Sequence, residues 1–346
     1  MVRFSDIRGI LEMEGGRRNS SFSKRAEEPL PPGDANRPED QRPSGILLSD
    51  GMDPEAQSCY ERFVRTAMDV KERVSGGRGI DPAPILADLK HILEHNLVEK
   101  LYAHSMSAPE DSQEVFIHSV EVTFVSLLIG KGMGYDMKGL FELGLSAFLE
   151  NVGMYTLPGA ILQKETKLDE SEIERIKKHS ETSYQILSRL GKEYLWLAET
   201  AIQVHERADG SGYPKGLKEG EISEKASIIG LVDTYLAMCR KRPHRDRFLK
   251  TDAIKFMLKE AKKQFPARAL KALLNEISLF PLNTYVKLNN ESIGRVVGTE
   301  KNQPLRPIID ILYDNLGKRP QKREIIRLSD NPLLYVTETV DERELA

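Results

Sequence analysis

HERADGSGYPKG, residues 205–216, decides how the rest of the chain is read. The part from Asp209 to Gly216 is too dense in Gly and Pro to continue a helix. Asp209, Gly210, Gly212, Tyr213 and Pro214 therefore read as a tight loop whose glycines let backbone come close to a ligand. Just before it, Leu195, Ala198, Ile202 and His205 recur at helical spacing, so a helix over 193–206 is expected to carry His205 on its apolar stripe.

Outward from this loop the chain reads as mainly α. Asp53 and Pro54 form a cap and first helical residue ahead of Tyr60, Phe63, Val64, Ala67 and Met68, with Gly76 and Gly77 as the stop. Ile85, Leu86, Leu89, Ile92, Leu93 and Leu97 give a second amphipathic helix. This pair, over 53–108, is either a small module or the first layer of the main bundle. Further helices are expected over 112–130, 137–150, 170–190, 224–240, 252–264 and 267–277, most of them behind Asp111, Asp136, Asp169, Ser223 or Thr251 as starting residues. After Phe280, TYVKLNN, SIGRVVGTE, PIIDILYDN, REIIRLSD and PLLYVTETV carry β-branched residues between Asn, Gly, Asp and Pro, which predicts a small antiparallel β extension over 281–346. At the other end, EEPLPPGDANRPEDQRPSG has almost no apolar content, and residues 1–52 are expected to be disordered.

Composition narrows the function classes. A net charge of −3 over 346 residues gives no general basic field, against a DNA partner. Cys59 and Cys239 lack metal or redox spacing, and no apolar run approaches the roughly 20 residues that span a bilayer. The N-terminus has no uninterrupted apolar stretch of a secretory signal, so a cytoplasmic location is expected.

Polar residues on apolar faces are the informative exceptions. His179 lies on a face with Ile176, Ser183, Ile186 and Leu190, and Asp233 is flanked by Ile229, Val232 and Leu236. Glu114 and His118 are spaced i, i+4, and Glu150 and Asn151 end a helix. A carboxylate on such a face is costly unless paired, hydrogen-bonded or metal-bound, so the set suggests a shared polar interior. Duller explanations stand beside it: Glu114 and Asp111 as a capping pair, each histidine as a satisfied core residue, Asp233 as the partner of an arginine.

HERADGSGYPKG closely resembles the HHExxDGxGYP signature of HD-GYP domains, metal-dependent cyclic di-GMP phosphodiesterases. LPGAILQKETKLDESEIERIKKH, ASIIGLVDTYLAMCRKRPHR and FPLNTYVKL are similar to other ordered segments of that family, over roughly residues 110–290. The resemblance implies an HD-superfamily helical bundle over 109–280. It places Glu114, His118, His179, His205 and Asp233 at metal-ligand positions. Arg242 and Arg245 resemble ligand-phosphate contacts, although a solvated basic run reads equally well.

The departures fall on the chemistry. The His-Asp pair that names the family is Glu150-Asn151 here, the following proton-donating lysine is Met154, the first histidine of the double-His signature is Val204, and the Tyr of the Arg-Pro-Tyr-Arg run is His244. A neutral amide bridges two cations poorly. One divalent ion at most, Fe or Mn, is expected to be tightly held, by His118, Glu150 and Asp233; none at all is left open. The expected function is an HD-GYP-like signalling protein of impaired catalysis. It would bind cyclic di-GMP, or a partner such as a diguanylate cyclase through the GYP loop. An active phosphodiesterase with an atypical metal site and a helical scaffold without a nucleotide role are the alternatives.

Overall fold

The computed structural model describes residues 53–107, 114–164, 166–240, 250–277, 280, 282–300, 303 and 305–340. The disorder expected of residues 1–52, the start at Asp111, and Arg242, His244 and Arg245 lie outside the described residues. The helices are α1 (Pro54–Ser75), α2 (Ala83–Glu94), α3 (Val98–Ser107), α4 (Val115–Gly132), α5 (Met137–Leu149), α6 (Gly159–Leu162), α7 (Glu170–Lys177), α8 (His179–Leu187), α9 (Leu195–Gln203), α10 (Glu224–Cys239), α11 (Lys250–Lys259) and α12 (Ala267–Glu276). A 3-10 segment, Val152–Thr156, follows α5.

Several boundaries have visible causes. Asp53 caps α1 through the amides of Glu55 and Ala56, with Pro54 as the first helical residue and Gly76 as the C-cap. Asp136 caps α5 through Gly139, and Ser223 caps α10 through Ala226. Asp169 and Glu172 form a reciprocal capping box at α7.

Other expectations need correction. The single helix expected over 170–190 is two, α7 and α8, meeting at Lys178. Thr251 lies inside α11, which already includes Lys250. Helix α3 is a further helix that no strong starting signal announces, and Leu97, Val98 and Leu101 are buried there.

Helix α4 is buried on nearly every side, which makes it the central pillar. It is the one helix among the described residues long and apolar enough to cross a bilayer, but its apolar faces are covered by the other helices. Phe63 of α1 packs against Phe124 of α4 and Phe148 of α5 at ring distances of 5.3 and 4.6 Å. Residues 53–107 thus share one buried cluster with α4 and α5.

A second cluster joins α10, α11 and α12 to the C-terminal sheet. That sheet comprises β1 (Tyr285–Leu288), β2 (Ile293–Gly298), β3 (Ile308–Tyr313), β4 (Glu324–Arg327) and β5 (Val336–Val340). Its order is β4-β3-β2-β1-β5, every pairing antiparallel. The mainly α bundle with a small antiparallel extension is therefore what the structure shows.

Candidate functional site

The polar residues gather where four segments meet: the first turn of α4, the end of α5, the start of α8, and the turn after α9 facing α10. His118 bonds Asp233 at 2.8 Å between Nε2 and Oδ1. His179 and His205 meet Nε2 to Nε2 at 2.8 Å, and His205 Nδ1 lies 4.0 Å from Asp233 Oδ2. Glu150 and Asn151 are buried directly after α5, where the Asn151 side-chain amide donates to Glu150 Oε1. Glu150 Oε2 and His118 Nδ1 are buried without a hydrogen-bond partner.

The electrostatics follow from this crowding. Burial, with the Asp233 charge adding to it, pushes the Glu150 carboxyl well above the usual carboxylate range. Burial opposes ionisation of Asp233 too, but the bond and charge of His118 with the charges of His205 and Arg207 outweigh it and hold Asp233 low. Burial pushes His205 down to about 3, helped by His179. His179 is lowered by burial as well, against the pull of its bond to the Ile176 carbonyl.

That bond fixes a tautomer. His179 Nδ1 donates to Ile176 O at 2.5 Å, so its Nε2 presents a lone pair to His205. Metal-ligating histidines are commonly oriented this way by a backbone carbonyl. In the absence of a cation, His205 must supply the proton between the two rings.

Close backbone contacts weld the site together. A Cβ on Gly153 would stand 2.1 Å from His179 O, so only glycine lets the segment after Asn151 lie against α8. The Gly153 amide bonds Ser183 Oγ at 2.9 Å. A Cβ on Gly212 would stand 2.4 Å from Arg207 N, and the next residue, Tyr213, donates its amide to His205 O at 3.1 Å. The Tyr213 ring stacks on His205 with centroids 5.0 Å apart and planes 8° apart, and Lys177 Nζ lies 5.9 Å from the Tyr213 centroid. The Tyr213-Pro214 peptide is cis. Asp209 turns the loop through Ser211, and Gly210 donates to Arg207 O.

Not every expected residue arrives. Glu114 is not in the cluster: its carboxylate bonds Lys71 Nζ at 2.7 Å and is half exposed. Its backbone forms the N-cap of α4, but its side chain makes no capping bond. His205 is buried as expected, yet α9 stops at Gln203 and Leu195 is 40% exposed, so no helical stripe delivers the imidazole. The turn after α9 does. Met154 is half-buried, and Val204 belongs to the apolar core.

Two further residues of the opening motif, Glu206 and Arg207, support the site. Glu206 is buried, and its two carboxylate oxygens accept from Lys215 N at 2.7 Å and Leu217 N at 2.9 Å, closing the loop. Arg207 bonds Val204 O and Thr234 Oγ1 and lies 4.9 Å from the Phe265 ring centroid. Their place beside His205 was the only signal; periodicity gives i+1 and i+2 neighbours no shared face.

The HD domain family matches residues 96–268, the stretch that holds the clustered His, Asp and Glu. A KOW domain associated with HD domain matches residues 285–346, the β extension. The chain belongs to the HD domain family, as a member of its HD-GYP group. A cyclic di-GMP phosphodiesterase of Borreliella burgdorferi is 34% identical over 208 residues, 60% of this chain and 54% of that one. A 3'3'-cGAMP-specific phosphodiesterase of Vibrio cholerae is 28% identical over 200 residues, 58% and 46% of the two chains. The chain spans about half the length of these curated relatives. A solved HDG"Y"P protein of Bdellovibrio bacteriovorus shares the fold at a TM-score of 0.52 and 17% identity, covering 65% of this chain and 72% of that one.

Proposed function

We propose that this chain is a signalling module that binds a cyclic dinucleotide, cyclic di-GMP first among them, with hydrolysis impaired. The observation carrying this is the Asn151 amide turned onto Glu150 Oε1. At the point where the HD-GYP resemblance implies an anionic bridge, a neutral amide engages the neighbouring carboxylate as a donor. Met154 beside it has no proton to give, and a lost general acid typically costs about 10²–10⁴ in rate.

The donors do not fit a pair of ions. Asn151 brings no negative charge to bridge two cations, and His118, Asp233, His205 and His179 already engage one another in a run at 2.8, 4.0 and 2.8 Å. The unpartnered Glu150 Oε2 supports room for at most one tightly held Fe or Mn ion, with His118, Glu150 and Asp233. The intact loop, with Tyr213 stacked on His205, supports ligand binding. It is also the surface a diguanylate cyclase or another partner would meet.

Elemental analysis and hydrolysis of cyclic di-GMP and 3'3'-cGAMP on one purified sample test the proposal, with binding measured by calorimetry. Binding without turnover, and no more than one ion per chain, is expected. Brisk turnover with two ions would overturn it in favour of an active phosphodiesterase, the reading that the names of the relatives support. Neither binding nor turnover would leave the scaffold.

A further inference from the structure

The hairpin joining β3 to β4 takes no part in the site or in the core. Residues 314–325 belong to neither buried cluster, and β4 is an edge strand of the sheet. From Asp314 to Arg327 the chain carries Lys318, Arg319, Lys322, Arg323 and Arg327 against Asp314 and Glu324, although the whole chain stands at −3. This local excess of positive charge points to an anionic partner.

The turn fixes one apolar side chain in the open. Asp314 Oδ1 accepts from the amides of Leu316 at 2.9 Å and Lys318 at 2.8 Å, and the Asp314 amide donates to Lys318 O at 2.8 Å. Gly317, at φ +72°, completes the bend in a conformation that glycine adopts freely. Leu316 is left 73% exposed. A lone exposed leucine means little. Here it is held at the bend, with Lys318, Arg319 and Lys322 exposed within six residues of it. Asp310 and Glu300 hold Arg323 and Arg327, while the ammonium groups of Lys318 and Lys322 have no carboxylate partner among the described residues.

Of the anionic surfaces, lipid fits better than nucleic acid. Single-stranded nucleic acid is gripped by aromatic rings that stack on its bases. The hairpin's one aromatic side chain is Tyr313, and Arg319 already occupies it, 5.5 Å from the ring centroid and 3.3 Å from the hydroxyl. An apolar residue at the bend beside free cations instead matches a bilayer surface, where acyl chains accept the leucine and headgroup phosphates the lysines.

We propose that the β3–β4 hairpin docks the chain on an anionic lipid surface, with Leu316 entering at headgroup depth and Lys318 and Lys322 meeting lipid phosphates. The contact is peripheral and needs no spanning segment. It stands independently of the nucleotide-binding reading. The sheet shares a buried cluster with α10, so docking brings the helical bundle to the membrane surface with it.

Cosedimentation of the full chain with vesicles tests this, using phosphatidylcholine alone and phosphatidylcholine mixed with phosphatidylglycerol. The parent should bind the mixed vesicles, less so as salt rises, and should ignore phosphatidylcholine alone. Lys318→Gln together with Lys322→Gln should weaken binding roughly thirtyfold, about fivefold for each cation removed. Leu316→Ser should weaken it about tenfold with the salt dependence unchanged. Leu316→Trp should retain it, because tryptophan is favoured at the membrane interface. These side chains are exposed, so circular dichroism should show the fold intact in every variant. Failure of the parent to bind mixed vesicles overturns the proposal, as does equal binding by the parent and either weakened variant. Binding to a single-stranded oligonucleotide in place of vesicles also overturns it and assigns the hairpin to nucleic acid.

Discussion

Glu150 concentrates the site's physical tension in one side chain. Its carboxyl is held above the usual range by burial and by Asp233, so it keeps its proton where the unfolded chain, at its ordinary 4.5, would release it. The sign follows: above 4.5 folding takes up a proton, and stability is lost as pH rises toward the folded value. Glu150→Gln removes that penalty. In chelator-treated protein it should raise the thermal midpoint near neutral pH, and the difference should vanish at acid pH; a midpoint series against pH checks both. In metal-loaded protein the sign reverses if the carboxylate holds an ion, because Gln supplies no negative charge. The residues themselves were partly legible. His179, His205 and Asp233 could be picked out because polar groups among apolar neighbours need a partner, while His118 showed only through its spacing from Glu114 and Glu150 through its place at a helix end. The capture of Glu114 was not legible, since it depends on a lysine 43 positions away that folding alone brings near. A chemical restoration tests the proposed impairment. Glu150→His, Asn151→Asp, Met154→Lys and Val204→His together should raise dinucleotide hydrolysis well above the parent's, measured with manganese or iron. A folded, metal-loaded variant that stays inert would contradict it.

The element that most constrains the site is the loop after α9. Its glycines and proline were readable as a turn, but its internal clamp was not, because no periodicity announces a carboxylate that folds back on its own chain. Glu206 satisfies two amides at once. Glu206→Gln retains only one acceptor oxygen, so one buried amide bond is lost, at about 1–3 kcal/mol. Amide exchange at Lys215 and Leu217 should accelerate while exchange in α4 stays slow, which localises the effect. Gly212→Ala is harsher. Its Cβ would strike the backbone of Glu206 and Arg207 rather than the end of a mobile side chain. Overpacking of this kind costs about 1–3 kcal/mol. The Tyr213 ring should leave His205, so ligand affinity should fall with stability; protection by cyclic di-GMP in a thermal shift assay reads both. The same limit explains α7 and α8. Periodicity runs through Lys178 without a break, and no breaker residue marks the interruption there.

At the scale of the molecule, the β extension is part of the same solid as the site. Its five strands were legible from alternation and turn residues, but their attachment was not, since a strand's pattern says which face is buried and never against what. Val286, Leu288, Val296, Ile309 and Val336 belong to one buried cluster with Ile229, Val232 and Leu236, the neighbours of Asp233 on α10. Domains joined through such a core should unfold together. The chain offers a clean reporter, because Trp196 is its only tryptophan and sits in α9, away from the sheet in sequence. Leu288→Ala, at a fully buried position of β1, should cost about 2–5 kcal/mol. If the unit is cooperative, the denaturation midpoint followed by Trp196 fluorescence moves as far as the one followed by far-ultraviolet circular dichroism. An extension that unfolded by itself would leave the Trp196 midpoint where it was and split the two transitions. Coincident movement would mean that a partner gripping the sheet acts on the same folded state that positions Asp233, with no separate hinge between them.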